Sequence, residues 1–214
     1  MALSAAQRAA CAHLGSVDPT MATLVETFGA PKLRARASAS HTWFAALAEA
    51  IVYQQLAGKA AAAIHRRVVA AAGGDVTPRS LLDAGEEALR GAGLSGSKYA
   101  SLVSLSTHVL DGSLTLGRLG RLPDGEVIEQ LTQVRGIGPW TAQMFLMFDL
   151  ARPNVWPVLD YGVRCGFQRA YGLAELPTPK QLDELGAPFA PHRSAAAWYC
   201  WRAADTTLPS QSNP

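Results

Sequence analysis

Ten segments of this chain place apolar residues, many of them alanine, at spacings near three and four, and almost no run alternates with a period of two. Spacing of that kind lines one face of an α-helix, whereas a half-buried strand needs alternation, so the fold class is all-α. The pattern predicts helices over 4–14, 19–28, 41–72, 78–92, 96–111, 124–133, 139–149, 160–171, 179–185 and 192–204. Boundary residues agree: Thr77 and Pro78 open a helix, Gly91 and Gly93 close one, and Pro123 with Asp124 start the next. Positions 73–77, 112–123 and 172–179 read as loops.

A length of 214 residues is enough for one domain or two small lobes with a substantial core. Hydrophobic content of 49% against 17% charge is that of a globular chain, and a net charge of +2 means that nucleic acid would have to be met by local basic patches. Lys32, Arg34 and Arg36, ahead of Ser38 and Ser40, read as a solvated linker, with an extended basic loop near phosphate as the alternative. Cys11, Cys165 and Cys200 lack metal-ligand spacing and read as buried reduced thiols. His13, His41, His65, His108 and His192 also lack ligand spacing, so no catalytic metal is expected. No signal-peptide pattern and no apolar run of membrane-spanning length is present, which predicts a soluble cytoplasmic protein without membrane association, nucleoid-associated if bacterial. The C-terminal LPSQSNP reads as a frayed tail.

Between two helical patterns stands Val134-Arg135-Gly136-Ile137-Gly138, followed by Pro139 at a first helical position. Two glycines permit positive φ and close approach of the backbone to a ligand, while Ile137 can plug into the core. The amides of Gly136, Gly138 and the first turn through Thr141 can then converge on one anion, helped by the helix dipole, and phosphate suits such a site. A tight helical corner without a ligand is the other reading of the same residues.

Asp160 follows a proline-containing loop and opens the pattern Tyr161-Gly162-Val163-Arg164. As an N-cap it would contribute about 1 kcal/mol. It is also an isolated carboxylate downstream of a phosphate-type hairpin, and capping and chemistry are compatible in one residue.

Gly138-Pro139-Trp140-Thr141-Ala142 with the downstream Asp160 resembles the helix-hairpin-helix DNA glycosylase superfamily, and within it the 3-methyladenine DNA glycosylase II group. The resemblance covers roughly residues 41–205. It is carried further by Ile51-Val52-Tyr53-Gln54-Gln55-Leu56-Ala57, which resembles the family's helix end and turn facing the DNA, and by Gly93-Leu94-Ser95 with Lys98, which resembles its next turn. Trp156-Pro157-Val158-Leu159-Asp160-Tyr161-Gly162-Val163-Arg164 resembles its catalytic segment, and Pro191-His192-Arg193-Ser194 with Trp198-Tyr199 and Trp201-Arg202 resembles its closing helix.

The resemblance implies a two-lobed helical bundle over residues 1–205, the second lobe formed by the N- and C-terminal helices, with an active-site cleft between the lobes and a tail at 206–214. It implies Asp160 as the catalytic carboxylate of a hydrolase that removes alkylated purines, such as 3-methyladenine and 7-methylguanine, from flipped nucleotides of double-stranded DNA in base excision repair. Trp140, Met144, Tyr161 and Trp201 match the base pocket, where indoles attract a cationic purine by about 0.5 to 2 kcal/mol more than a neutral one. Met144 replaces an aromatic of the best-known relatives, which puts pocket breadth in question.

Gln55, Leu56, Gly136, Ile137, Gly138 and Thr141 match the DNA-contacting residues, with Leu56 as the apolar wedge and Gln55 as a contact to the orphaned base or a helix cap. Backbone carbonyls of Thr132, Val134 and Ile137 match a site for structural Na+ or K+, and no cofactor is required. Trp140 stands where related glycosylase-lyases hold a Schiff-base lysine, which implies a monofunctional enzyme. One cysteine near the C-terminus cannot supply the four-cysteine iron-sulfur loop of some relatives. The protein is expected to act as a monomer without an obligate protein partner. The sequence leaves two rivals standing: a non-catalytic helix-hairpin-helix module for bent or damaged DNA, and a glycosylase for other lesions.

Overall fold

The computed structural model of the chain describes residues 3–33 and 42–206. Arg34, Arg36, Ser38 and Ser40 of the basic segment, His41, and the tail from 207 onward lie outside the described residues. Among the described residues the regular structure is twelve α-helices and one 3-10 turn, with no strand, as the apolar spacing predicts. No helix among them is long and apolar enough to cross a membrane.

The chain divides into two compact units, Arg36–Leu150 and Met1–Ala35 with Ala151–Pro214. The first holds α3 (Trp43–Tyr53), α4 (Gly58–Ala71), α5 (Pro78–Gly91), α6 (Gly96–Leu110), α7 (Leu116–Leu119), α8 (Asp124–Thr132) and α9 (Pro139–Phe148). Leu47, Ile51, Leu81, Leu89, Leu102, Leu105, Leu131 and Leu146 are all but fully buried and form its core. The second holds α1 (Ala5–Val17), α2 (Pro19–Phe28), α10 (Tyr161–Tyr171), α11 (Pro179–Leu185), a 3-10 turn (Ala187–Phe189) and α12 (Arg193–Asp205). Here Leu14, Met21, Leu24, Phe167, Phe189 and Tyr199 fill the interior. The Tyr199 hydroxyl donates to Gly29 O at 2.7 Å, and Asp18 both caps α2 and accepts from the Tyr171 hydroxyl at 2.8 Å.

Three expectations are corrected. The helix predicted over 41–72 is two helices, because Gln54 leaves the helical region with ψ at 132° and Gln55 takes a positive φ of 56°. Apolar spacing runs through the break since Leu56 and Ala57 keep the pattern while being exposed. The loop predicted over 112–123 contains α7, four residues long and too short to show a period, anchored by the buried Leu119. Of the three free thiols only Cys200 is buried. Cys11 lies at the margin of the core, 3.5 Å from the Tyr199 hydroxyl, and Cys165 sits one turn from the exposed Tyr161 on α10.

Candidate active site

The glycine hairpin is built by short-range turns on a buried plug. After α8, the Val134 amide donates to Leu131 O at 3.1 Å and the Ile137 amide donates to Val134 O at 3.0 Å, while Ile137 itself is only 3% exposed. Gly136 has φ at +81°, and a Cβ there would collide with the Ser101 hydroxyl. Backbone conformation and a close neighbour therefore both demand glycine at 136.

Gly138 differs from the expectation: its φ is −94°, it is the N-cap of α9, and a Cβ would enter open space. Any need for glycine there comes from what approaches from outside. Pro139 occupies the first helical position as predicted. Thr141 is buried and turns its hydroxyl inward, where it accepts from Gln54 Nε2 at 3.3 Å, leaving its amide in the first turn of α9.

The Gln-Gln-Leu turn lies in the same unit. Gln54 is the C-cap of α3, the Leu56 amide donates to Tyr53 O at 3.3 Å, and Gln55 stands in the left-handed region that non-glycine residues rarely adopt. The helix cap is thus Gln54, leaving Gln55 exposed beside Leu56, which is 37% exposed. Lys98 on α6 donates to Val52 O at 2.7 Å, placing its ammonium on the last turn of α3, and partial burial holds its pKa below the usual lysine value. Ser95, quoted in the same motif, caps α6, and Gly93 has φ at +103°.

Between turn and hairpin opens a pocket of about 840 Å³ lined by Tyr53, Trp140, Met144 and Phe148, with Glu49 and Asp149 in its wall. Trp140 is 42% exposed on the pocket wall.

The other unit carries the carboxylate. Trp156 is buried and donates its indole N–H to Leu182 O at 2.8 Å, which pins the start of the loop into Asp160. The Val158 amide then donates to Trp156 O at 3.0 Å and the Asp160 amide to Pro157 O at 2.9 Å. Asp160 is the N-cap of α10, 8% exposed, and its Oδ1 accepts both the Val163 amide and Trp201 Nε1, each at 2.8 Å. Tight packing preserves this arrangement: a Cβ on Gly162 would stand 3.0 Å from Trp201 Cδ1 and 3.2 Å from Asp160 Oδ1. Burial, and then the nearby Asp160 charge, push the Cys200 thiol well above its ordinary pKa.

Gln55, Leu56, Gly136, Trp140, Thr141 and Met144 thus surround one concavity, and Tyr161 and Trp201 accompany Asp160 in the other unit. Tyr161 is 70% exposed; Trp201, expected as a pocket wall, is also a hydrogen-bond donor to the carboxylate. Gln54, Ser101, Ser104, Glu49, Asp149 and Gly162 had no role assigned from the sequence; Gln54 and Gly162 lie within quoted motif segments, and the other four carried no signal.

Residues 48–191 match the family model of the HhH-GPD superfamily base excision DNA repair protein. The DNA-3-methyladenine glycosylase 1 of Schizosaccharomyces pombe is 35% identical over 203 residues, covering 92% of this chain and 89% of that protein. A solved structure of the 3-methyladenine DNA glycosylase of that organism in complex with abasic DNA superposes with a TM-score of 0.79 at 33% identity, covering 92% of this chain and 97% of that one. The crystal structure of a DNA-3-methyladenine glycosidase from Bacillus halodurans gives 0.83 at 36% identity, covering 92% and 89%.

Proposed function

The chain belongs to the HhH-GPD superfamily of base excision DNA repair proteins, and from that membership we propose a monofunctional DNA glycosylase that hydrolyses the N-glycosidic bond of alkylated purines in duplex DNA. The observation that carries this reading is the buried Asp160, whose Oδ1 is held by two donors at 2.8 Å.

A carboxylate fixed in this way meets the demand of the reaction. Departure of the base leaves positive charge at C1′ of the deoxyribose, and a negative group already oriented stabilises that charge without reorganising as it develops. Water, positioned by the same carboxylate, attacks C1′ as the bond to the base breaks, and its proton passes by way of the carboxylate to solvent. A 3-methyladenine or 7-methylguanine base is cationic before cleavage and leaves neutral, so the reaction asks for no strong general acid.

A base in a duplex is reached only after the nucleotide leaves the stack. Leu56, apolar and exposed on its turn, is suited to fill the gap, and the hairpin amides with the dipole of α9 are suited to a backbone phosphate. Trp140, Tyr53 and Phe148 offer π faces to a cationic purine, and the carboxylates of Glu49 and Asp149 add negative charge to the pocket wall. Trp140 supplies no amine where a lyase needs one.

We further propose that the carbonyls of Thr132, Val134 and Ile137 hold a structural Na+ or K+; Val134 O, which accepts the Ile137 amide, keeps a second lone pair for it. Such an ion would brace the turn and take no part in bond breaking.

Incubation with methylated duplex tests the reading. Release of 3-methyladenine, an intact abasic strand, and no covalent complex after borohydride are the expected results. Efficient borohydride trapping would overturn the monofunctional assignment, and no release from any alkylated substrate would overturn the reading itself.

A further inference from the structure

Two exposed turns of the unit Arg36–Leu150, the Gln55-Leu56 turn and the glycine hairpin, are about 80 residues apart in sequence, yet one side chain joins them. Gln54 Nε2 donates to Gly136 O at 2.8 Å and to Thr141 Oγ1 at 3.3 Å, reaching from the C-cap of α3 to the middle of the hairpin and to the first turn of α9. We infer that Gln54 is a positioning residue that locks the Leu56 turn to the hairpin, so that gripping a phosphate and inserting Leu56 into the base stack are set by one rigid element.

Helix α6 braces the same pair from behind. Lys98 holds Val52 O just ahead of the turn, Ser101 fills the space that Gly136 leaves open, and Ser104 Oγ accepts the Arg135 amide at 3.1 Å. Positions 98, 101 and 104 recur every three residues and share one helix face. With the two turns tied to α6 and to each other, neither shifts alone.

The geometry explains why an amide side chain stands at 54. Gly136 O and Thr141 Oγ1 both accept a hydrogen bond here, and one –NH2 serves the two. It also gives a reason for the positive φ of Gln55: with Gln54 turned toward the hairpin, the chain must reverse within one residue to present Leu56 outward. A rigid wedge loses less conformational entropy on inserting than a mobile one.

This inference rests on the glycosylase reading for its functional consequence, and a double-mutant cycle separates the two. Wild type, Gln54→Leu, Leu56→Ala and the double variant are compared in single-turnover release of 7-methylguanine from duplex DNA. They are compared again in the fluorescence rise of 2-aminopurine placed beside an abasic analogue. Gln54→Leu is expected to slow release about tenfold, the order of one lost hydrogen bond. It is also expected to cut the fluorescence rise by about half. In the Leu56→Ala background it is expected to add almost nothing, because Gln54 acts through the wedge.

Gln54→Glu, which keeps the shape and loses the donor, is expected to repeat the effect and covers the case in which the leucine variant unfolds. Additive losses, or no loss in either variant, would overturn the inference. A wild-type protein that releases no base would sink the glycosylase reading instead, and the fluorescence cycle would still decide the role of Gln54.

Discussion

Trp201 on α12 donates its indole N–H to Oδ1 of Asp160, the N-cap of α10, across 2.8 Å. The same oxygen accepts the Val163 amide, so the capping bond and the indole bond together fix the carboxylate rotamer. Gly162, with no side chain to intrude between them, lets the indole approach.

Replacing Trp201 with Phe keeps an aromatic ring and removes the donor. Single-turnover base release should fall about tenfold to a hundredfold, as for loss of a partner that orients a reactive group. Affinity for undamaged duplex should change by less than about twofold. Unchanged release, measured by chromatography of freed bases, would show that Asp160 keeps its working orientation without the indole bond.

The two hairpin glycines should separate in stability. Gly136→Ala places a Cβ 2.9 Å from Ser101 Cβ at a positive φ of 81°, and should cost about 1–3 kcal/mol in urea unfolding. Gly138→Ala meets open space at φ −94° and should stay within about 0.5 kcal/mol. If phosphate comes close to the backbone there, Gly138→Ala should still weaken DNA binding in a filter or fluorescence assay.

Gly166 is the tightest point between α10 and α12. A Cβ at this position would run into the backbone carbonyl of Cys200, which cannot swing aside as a side-chain tip does. Gly166→Ala should therefore destabilise the protein by about 3 kcal/mol in urea unfolding, and Asp160 and Trp201, carried by these two helices, should lose their register. Gly58→Ala, with open space around its Cβ, is the matched control.

Regular helices, their caps and the hairpin were legible in the sequence because their causes are local. Thr77 with Pro78, Pro139 and Asp160 act within one turn of themselves, and alanine-rich spacing of three and four has no other outlet. Apolar spacing hid the break at Gln54, because Leu56 and Ala57 continue the pattern in a turn that exposes them; only the resemblance marked a helix end and turn there. Gly138 misled because a glycine serving approach and a glycine serving positive φ are the same letter.

The contacts made by Gln54, Ser101 and Ser104 were hidden for a different reason. Their partners lie about 30 to 90 residues away, and an uncharged side chain gives no hint of which backbone group it will meet. Trp201 was singled out from its resemblance to a pocket residue, and the bond to Asp160 emerges only once α12 is packed beside α10.

If the Asp160 carboxylate stabilises the charge at C1′, removing its negative charge must suppress base release. Asp160→Asn keeps a side-chain oxygen for the Val163 amide and a good N-cap, so fold and DNA binding should persist while charge is lost. The most direct measurement is release of 3-methyladenine from methylated duplex by wild type and Asp160→Asn at equal DNA occupancy. Wild type should release the base and the variant should fall by at least about a hundredfold. Release by Asp160→Asn at a rate near that of the wild type would contradict the account.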